Sequence, residues 1–271
     1  MPAQSPVYSS PPIRELKYSL QFEPIANFHV GYLGALWGEF REEFPGVEHG
    51  EELNHDIERF GPKWRPRVGP QFKFLEETPA PRMIMKSRSG DRRLQVQKDK
   101  FIFNWIGDGT QGKYPGFNVL GEEYEGHLDT FKKFVKRNGD LGDIGFNQAE
   151  VTKINHIPTE GWELSDVVDS LSFEKDLFPE QNLESCTLNM SHHILVDGEP
   201  IGRLYSRIGK EFKVADGEPV YVLHFTARAN LKDASQSSAI GALHLLCEKI
   251  NYAFESLITD KAKDIWGKGE S

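Results

Sequence analysis

The stretch Ile13-Arg-Glu-Leu-Lys-Tyr-Ser-Leu-Gln-Phe22 alternates apolar and polar residues along most of its length. From Leu16 to Phe22, every second residue is apolar, which is the period of a strand with one face turned toward a core. Pro24 follows, and proline cannot donate a hydrogen bond to a neighbouring strand. We therefore predict a half-buried β-strand over residues 13–22.

The pattern changes to a helical period after this strand. Apolar residues fall on one face of a helix predicted over residues 29–44, and Pro45-Gly46 stops it: Leu33, Leu36, Trp37, Phe40 and Phe44. Prolines recur through residues 47–81, so we expect an extended connection there with only short pieces of strand.

A meander of strands and a helix follow. Residues 83–88 and 93–97 flank the turn Ser89-Gly90-Asp91, and the sequence predicts a hairpin there and a third strand over residues 101–106. Residues 117–137 have helical periodicity, with Asn138-Gly139 as the predicted C-cap.

The second part of the chain has a similar order. Strands are predicted over residues 149–157, 185–196, 201–208 and 220–229, with Asp197-Gly198 and Asp216-Gly217 as hairpin turns. A single long helix is predicted over residues 235–266. One apolar stripe on it is expected to be buried: Ile240, Leu243, Cys247, Ile250, Phe254 and Leu257.

Strands followed by a helix, twice over, predict an α+β protein. We expect antiparallel meander sheets with helices packed on one face, two loosely similar halves, and a long C-terminal helix. The predicted boundaries are a flexible N-terminal tail at residues 1–12, an N-terminal α+β unit at residues 13–145, and a C-terminal α+β unit at residues 146–271.

The bulk composition favours a cytoplasmic protein. The net charge of −9 provides no general attraction to nucleic acid or anionic lipid. No run approaches the ~20 apolar residues of a membrane span, and residues 1–12 lack the basic start and apolar run of a signal peptide. Cys186 and Cys247 lie in apolar periodic segments and are expected to be reduced, buried thiols.

Motifs for cofactors and metals are weak. Gly107, Gly109 and Gly112 match G-x-G-x-x-G, but Pro115-Gly116 follows where a dinucleotide site needs a helix N-terminus. His192 and His193 are adjacent on a predicted strand, so they point to opposite faces. The spacings of zinc sites do not occur. We predict no cofactor and no metal, and no catalytic residue can be named.

Charge is distributed unevenly along the chain. Residues 63–100 contain eleven basic and four acidic residues, a balance of +7, so the rest of the chain carries −16. This basic strip predicts contact with an anionic partner, either a protein surface or nucleic acid, through Arg65, Arg67, Lys86, Arg88, Arg92 and Arg93. The three arginines at positions 88, 92 and 93 flank one turn and are expected to project together. The alternative is a face neutralised by the protein's own acidic helices.

Several segments resemble a sporadically distributed bacterial family of proteins of about this length. They include Pro11-Pro12-Ile13-Arg14-Glu15, Leu94-Gln-Val-Gln-Lys-Asp-Lys-Phe-Ile-Phe-Asn-Trp105, Val151-Thr-Lys-Ile-Asn-His-Ile157 and Phe254-Glu-Ser-Leu-Ile-Thr-Asp260. The resemblance covers nearly the whole chain. The family has no established activity, so the resemblance supplies no site residues, and its patchy occurrence implies a transferable host-defence or toxin–antitoxin-like module.

The polar residues within those segments suggest one further site. Several alternate with apolar neighbours on predicted strands or end a strand, and they are candidates for a polar groove: Gln95, Gln97, Asn104, Asn155 and His156.

Three functions stay open at this point. The first is a non-catalytic binding or assembly subunit with a protein partner or a second copy of itself. The second is an enzyme, a hydrolase or nuclease, with a site assembled in space. The third is a small-molecule-binding protein with a cavity under the C-terminal helix.

Overall fold

The computed structural model describes residues 8–61, 81–107, 114–169, 185–213 and 216–267. The strands in these ranges are β1 (Ile13–Phe22), β2 (Gly46–Gly50), β3 (Arg82–Lys86), β4 (Arg92–Gln97), β5 (Lys100–Ile106), β6 (Phe146–Pro158), β7 (Cys186–Val196), β8 (Glu199–Phe212) and β9 (Pro219–Asn230). The helices are α1 (Val30–Phe40), α2 (Phe117–Arg137), α3 (Leu164–Val167), α4 (Gln236–Leu257) and α5 (Asp260–Ile265), with one 3₁₀ turn at Gly139–Leu141.

The nine strands form one antiparallel sheet in the order β2-β3-β4-β5-β1-β6-β9-β8-β7. In the first half, β1 pairs with β5, the last strand of the four-stranded meander β2-β3-β4-β5, and the long helix α2 follows. In the second half, β6 pairs with β9, the last strand of the three-stranded meander β7-β8-β9, and the long helix α4 follows. The two first strands, β1 and β6, pair with each other at the centre. The α+β expectation with two similar halves is therefore confirmed, with one correction: the meanders join into a single sheet.

Strand β1 gives the sheet two different faces. Tyr18 lies opposite Phe103 on β5 and Val151 on β6, and all three side chains are buried under the helices. The next residue, Ser19, faces the other side, where Glu150 of β6 lies opposite it. One face of the sheet is thus apolar and the other polar, as the period of two requires.

Helix α2 covers the apolar face with aromatic rings. Phe131 stacks on Phe101 of β5 with ring centroids 4.9 Å apart, and Tyr124 stacks on Tyr18 at 5.5 Å. The Tyr18 hydroxyl donates a hydrogen bond of 2.8 Å to the carbonyl of Phe117. Such ring pairs contribute about 0.5–1.5 kcal/mol each beyond their buried area, so they fix the helix on the sheet.

A strap of chain, residues 51–61, lies across the polar face without regular secondary structure. Side-chain amides of the sheet form hydrogen bonds with backbone groups of the strap. The N–H of Leu53 donates to Oε1 of Gln97 on β4, and Nε2 of Gln97 donates to the carbonyl of Leu53, both at 2.9 Å. The amide of Gln97 therefore pairs with the strap as a neighbouring strand would.

Gln148 on β6 holds the middle of the strap in a similar way. Its Nε2 donates to the carbonyl of Asp56 at 2.7 Å, and its Oε1 accepts from the N–H of Glu58 at 3.0 Å. Gln21 also donates to the Asp56 carbonyl at 3.2 Å, and Asn230 donates to that of Glu58 at 2.8 Å. The strap's backbone groups thus have partners without a strand ladder, which buried backbone needs.

Two sequence expectations need correction at the C-terminus. The helix predicted over residues 235–266 is broken, because Ile258 is extended and forms a bridge with Val168. Thr259 then begins α5, and its Oγ1 accepts from the N–H of Ala262 at 3.2 Å. Three residues of the stripe that was predicted to be buried, Ile240, Phe254 and Leu257, are only half-buried. The Phe254 ring contacts Tyr8, Phe225 and Trp266.

Residues 8–12, the described part of the N-terminal tail that was predicted to be flexible, are hydrogen-bonded to the C-terminal end of the described chain. Ser9 N–H donates to the Gly267 carbonyl and Ser10 N–H to the Trp266 carbonyl, both at 3.1 Å. Cys186 and Cys247 are both free thiols; Cys247 is buried and Cys186 only half-buried.

We expect Phe131→Ala to lower the free energy of unfolding by about 3–5 kcal/mol, because a fully buried ring leaves a cavity. Phe254→Ala should cost less, about 1–2 kcal/mol, because its ring already contacts solvent. Urea unfolding of the two variants measures both losses. Equal losses would contradict the difference in packing.

Acid should destabilise the protein through His127 on α2. Its side chain is 12% exposed and packs against Phe44 and Phe103. Burial lowers the pKa of His127, and the nearby Glu43 carboxylate opposes that shift only in part. The unfolded chain, in which histidine titrates near pH 6.5, therefore binds the proton more tightly than the folded protein. Stability should fall as the pH drops below about 6.5.

His127→Phe should reduce this loss between pH 7 and pH 5, measured by urea unfolding at both values. His49→Gln is the control, because His49 is exposed on β2 and should leave the pH dependence of the wild type unchanged. If His127→Phe and the wild type lose the same stability, His127 is not the buried group that resists protonation.

Candidate ligand-binding cleft

A cleft of about 720 Å³ opens on the helical side of the sheet. Its walls come from residues 8–13, the N-terminus of α2, strand β6, strand β9 and helix α4. These elements are distant in sequence and meet because β6 is central and α4 packs across β6 and β9.

Aromatic side chains form much of the cleft wall. Phe254 on α4 contacts Phe225 on β9 edge-to-face with centroids 6.3 Å apart, and Tyr8 meets Phe254 at 6.2 Å. Phe117 at the start of α2 lies edge-on to His244 at 5.3 Å. The rings leave an apolar surface suited to a flat organic group.

Lys153 is the buried cation of the cleft. It points inward from β6 on the apolar face, opposite Leu16 and Phe225, and is 9% exposed. Its Nζ donates to Oδ1 of Asn251 at 2.6 Å and lies 5.7 Å from the centre of the Phe117 ring. Among the described residues, no carboxylate forms a salt bridge with this ammonium within 4 Å.

Two more polar groups lie near Lys153. Burial raises the pKa of the Cys247 thiol, and the neighbouring Lys153 only partly offsets that shift. The hydroxyl of Tyr114 is buried in the cleft wall, and none of the described residues forms a hydrogen bond with it. Burial raises its pKa too, and Cys247 is close enough to add to the shift. Cys247 and Tyr114 are therefore both neutral at physiological pH.

The N-terminus of α2 also borders the cleft. Residues 116–119 line it, and the N-cap Gly116 has φ 100° and no side chain to cap the helix. The first N–H groups of a helix lack intrahelical partners and carry partial positive charge. The cleft therefore combines an ammonium group, a phenol and uncapped helix N–H groups.

The polar face of the sheet carries a separate network of charges beneath the strap. Glu58 of the strap is buried, and its carboxylate contacts Arg203 and accepts from the Tyr205 hydroxyl at 2.7 Å. Arg228 lies 3.6 Å from the same carboxylate. The strap thus inserts one carboxylate among two guanidinium groups and a phenol.

Glu150 on β6 extends this network. Lys17 lies 2.7 Å from its carboxylate, and Arg228 donates to it at 2.5 and 2.8 Å. Burial alone would raise the pKa of Glu150, but Lys17 and Arg228 outweigh burial and lower it to about 2. A second pocket of about 230 Å³ lies between these residues and the strap. Because their charges are paired, we assign this network to holding the strap.

The residues of the predicted basic strip do not share one face. Arg92 points toward α2, where its guanidinium donates to the Glu123 carboxylate at 2.9 and 3.1 Å. Arg93 points to the opposite face, and Arg88 is exposed in the turn. The expectation that these three arginines project together is wrong, because adjacent strand residues alternate in direction.

The other members of the strip have different positions. Lys86 pairs with Glu48 across the β2–β3 ladder, while Arg65 and Arg67 lie outside the described residues. The charges of Arg92 and Lys86 are therefore paired with carboxylates of the protein itself. Contact of the strip with an anionic partner stays a prediction.

The predicted polar groove is divided between the two faces. Gln95 and Asn104 are hydrogen-bonded at 2.7 Å on the polar face, where Gln97 holds the strap. Asn155 points the other way and lines the cleft. His156 faces the polar side, and burial lowers its pKa. These residues do not form a single groove.

Sequence reasoning missed Lys153, Tyr114 and Asn251 as cleft residues. A signal did exist on β6, where Lys153 continues the inward alternation that begins with Ala149 and Val151. A lysine at an inward-facing strand position indicates a buried cation. Its neighbours could not be inferred, because they come from other elements.

No group of three or more histidine, cysteine, aspartate or glutamate side chains in the described ranges could hold a metal ion. Among the helices that the structure describes, none is both long and apolar enough to cross a membrane. Compared with known proteins, the chain matches no family model and no curated sequence.

Removal of the Glu58 carboxylate should be costly. Glu58→Ala removes the carboxylate that contacts the buried Arg203, and breaking a buried ion pair from one side costs about 3–5 kcal/mol. Glu48→Ala removes the exposed partner of Lys86 and should cost less than about 1 kcal/mol. Urea unfolding compares the two, and a loss below about 1 kcal/mol for Glu58→Ala would show that the strap is not fastened by this carboxylate.

Proposed function

We propose that this protein is a non-catalytic binding protein that takes up a small organic molecule in the cleft between α4, α2 and β6. The size and lining of this cleft are the observations that support the proposal. Its volume of about 720 Å³ lies within the ~300–1,000 Å³ usual for small-molecule sites. Its lining combines an aromatic surface with a few converging polar groups, which is the usual composition of such sites.

The state of the cleft thiol supports binding rather than covalent catalysis. A nucleophilic cysteine needs a lowered pKa, because the thiolate is the reactive form. Burial raises the pKa of Cys247, and its side chain is 3% exposed. In this proposal Cys247 is part of the cleft wall.

The family resemblance suggests where such binding would be used. A cytoplasmic protein in a transferable host-defence or toxin–antitoxin-like module would bind its ligand and pass the signal to a protein partner. This setting rests on the resemblance alone, whereas the binding role rests on the cleft.

The neutral dye N-phenyl-1-naphthylamine tests the proposal, because its fluorescence rises in an apolar site. We expect saturable binding to the wild type at one site. Asn118 is an exposed residue on the cleft rim, so Asn118→Trp should obstruct the entrance and weaken binding at least tenfold.

Lys133→Trp is the matched control, because Lys133 is exposed on the same helix but does not line the cleft. It should bind the dye like the wild type. Absence of saturable binding, or equal affinity in the two tryptophan variants, would overturn the assignment of the cleft.

A further inference from the structure

We infer that the ligand of the cleft is an organic anion with an aromatic or otherwise apolar body, whose charged group binds at Lys153. This inference rests on the proposed function and specifies the chemical class of the ligand. The base of the cleft has a cation without a paired carboxylate and hydrogen-bond donors without acceptors among the described residues, and the inference follows from these two observations.

The charge of Lys153 is not paired with a carboxylate of the described residues. Lys153 is 9% exposed, and its Nζ donates to the neutral amide of Asn251 beside the neutral Cys247 thiol. A buried charge is costly unless it is paired, because it loses water without gaining an opposite charge. A ligand carboxylate, sulfonate or phosphate would supply that charge, so the site is more favourable when an anion occupies it.

Hydrogen-bond donors are in surplus around Lys153. The buried hydroxyl of Tyr114 has no partner within the described part of the chain, and the uncapped start of α2 presents its N–H groups from residues 117–119. The amide of Asn155 already donates to the Leu223 carbonyl at 3.1 Å. The Tyr114 hydroxyl and the N–H groups of α2 can donate, and an anionic group is an acceptor suited to such donors.

Two carboxylates border the cleft, and neither forms a salt bridge with Lys153. Glu248 is exposed on α4, and Glu255 accepts a hydrogen bond from the Tyr8 hydroxyl. With a net charge of −9, the protein as a whole repels anions. A preference for an anion would therefore have to come from the local groups at the base of the cleft.

The walls define the rest of the ligand. Phe117, Phe225 and Phe254 line the cleft together with Ile250, and three of these four side chains are aromatic. A flat apolar body can pack edge-to-face or stacked against them. The ligand therefore combines one anionic group with an aromatic or conjugated body.

Two dyes that differ by one sulfonate test this inference. 8-Anilinonaphthalene-1-sulfonate is N-phenyl-1-naphthylamine with an added sulfonate group. We expect the sulfonate to bind the wild type at least tenfold more tightly than the neutral dye. The affinity of the sulfonate alone should fall when NaCl is raised from 50 to 200 mM, because salt screens charge.

Lys153→Met should abolish the preference and leave the affinity for the neutral dye within about twofold. The same substitution should raise the melting temperature, because it removes an unpaired buried charge. Lys133→Met, which removes an exposed lysine of α2 outside the cleft, should change neither property. Asn118→Trp should weaken both dyes, which excludes binding elsewhere on the surface.

The possible outcomes separate this inference from the proposed function. If the neutral dye binds in the cleft and the sulfonate binds no better, the anion inference is wrong while the binding role stands. If neither dye binds, the binding role itself fails. If Lys153→Met does not fold, displacement of the neutral dye from the wild type by 2-naphthoate and by 2-naphthylmethanol decides the question. Equal displacement by both compounds would overturn the anion inference.

Discussion

Every other part of the structure depends on the antiparallel pairing of β1 with β6. The pair joins the two meanders into one sheet and aligns Tyr18 with Val151 on the helical side and Ser19 with Glu150 on the other. A slip of one residue would turn every side chain of β1 to the wrong face. Charged groups would then lie beneath α2 and aromatic rings beneath the strap. The same β1–β6 register therefore places the correct side chains on both faces of the sheet.

The two faces of this pair are stabilised in different ways. The helical face is closed by nonspecific apolar burial and aromatic contacts, such as Phe131 on Phe101. The polar face is closed by directed bonds, in which the amides of Gln97 and Gln148 pair with the backbone of the strap. Directed bonds tolerate substitution less well than apolar contacts, because a buried polar group without its partner costs its full desolvation.

Features that depend on local sequence patterns could be predicted from the sequence, whereas features that depend on contacts between distant segments could not. The alternation of β1 and the helical period of α2 are local, and their predicted bounds, 13–22 and 117–137, match the structure. The break at Ile258 could not be read, because its bridge partner Val168 is 90 positions away. A cavity under the C-terminal helix was one of the predicted alternatives, but the strap and the residues that line the cleft were missed for the same reason, since the partners of Gln97 and Lys153 lie in distant segments.

The central position of β1 has a consequence for synthesis of the protein on the ribosome. The hairpins β3–β4 and β4–β5 can close as soon as they emerge, because their strands are adjacent in the chain. Strand β1 must wait for β5 and then for β6, which ends at Pro158. At about 5–20 residues per second, that delay is on the order of ten seconds. During this interval the backbone groups of one edge of β1 lack their β6 partners and remain open to pairing with other chains, while one face of the strand is apolar.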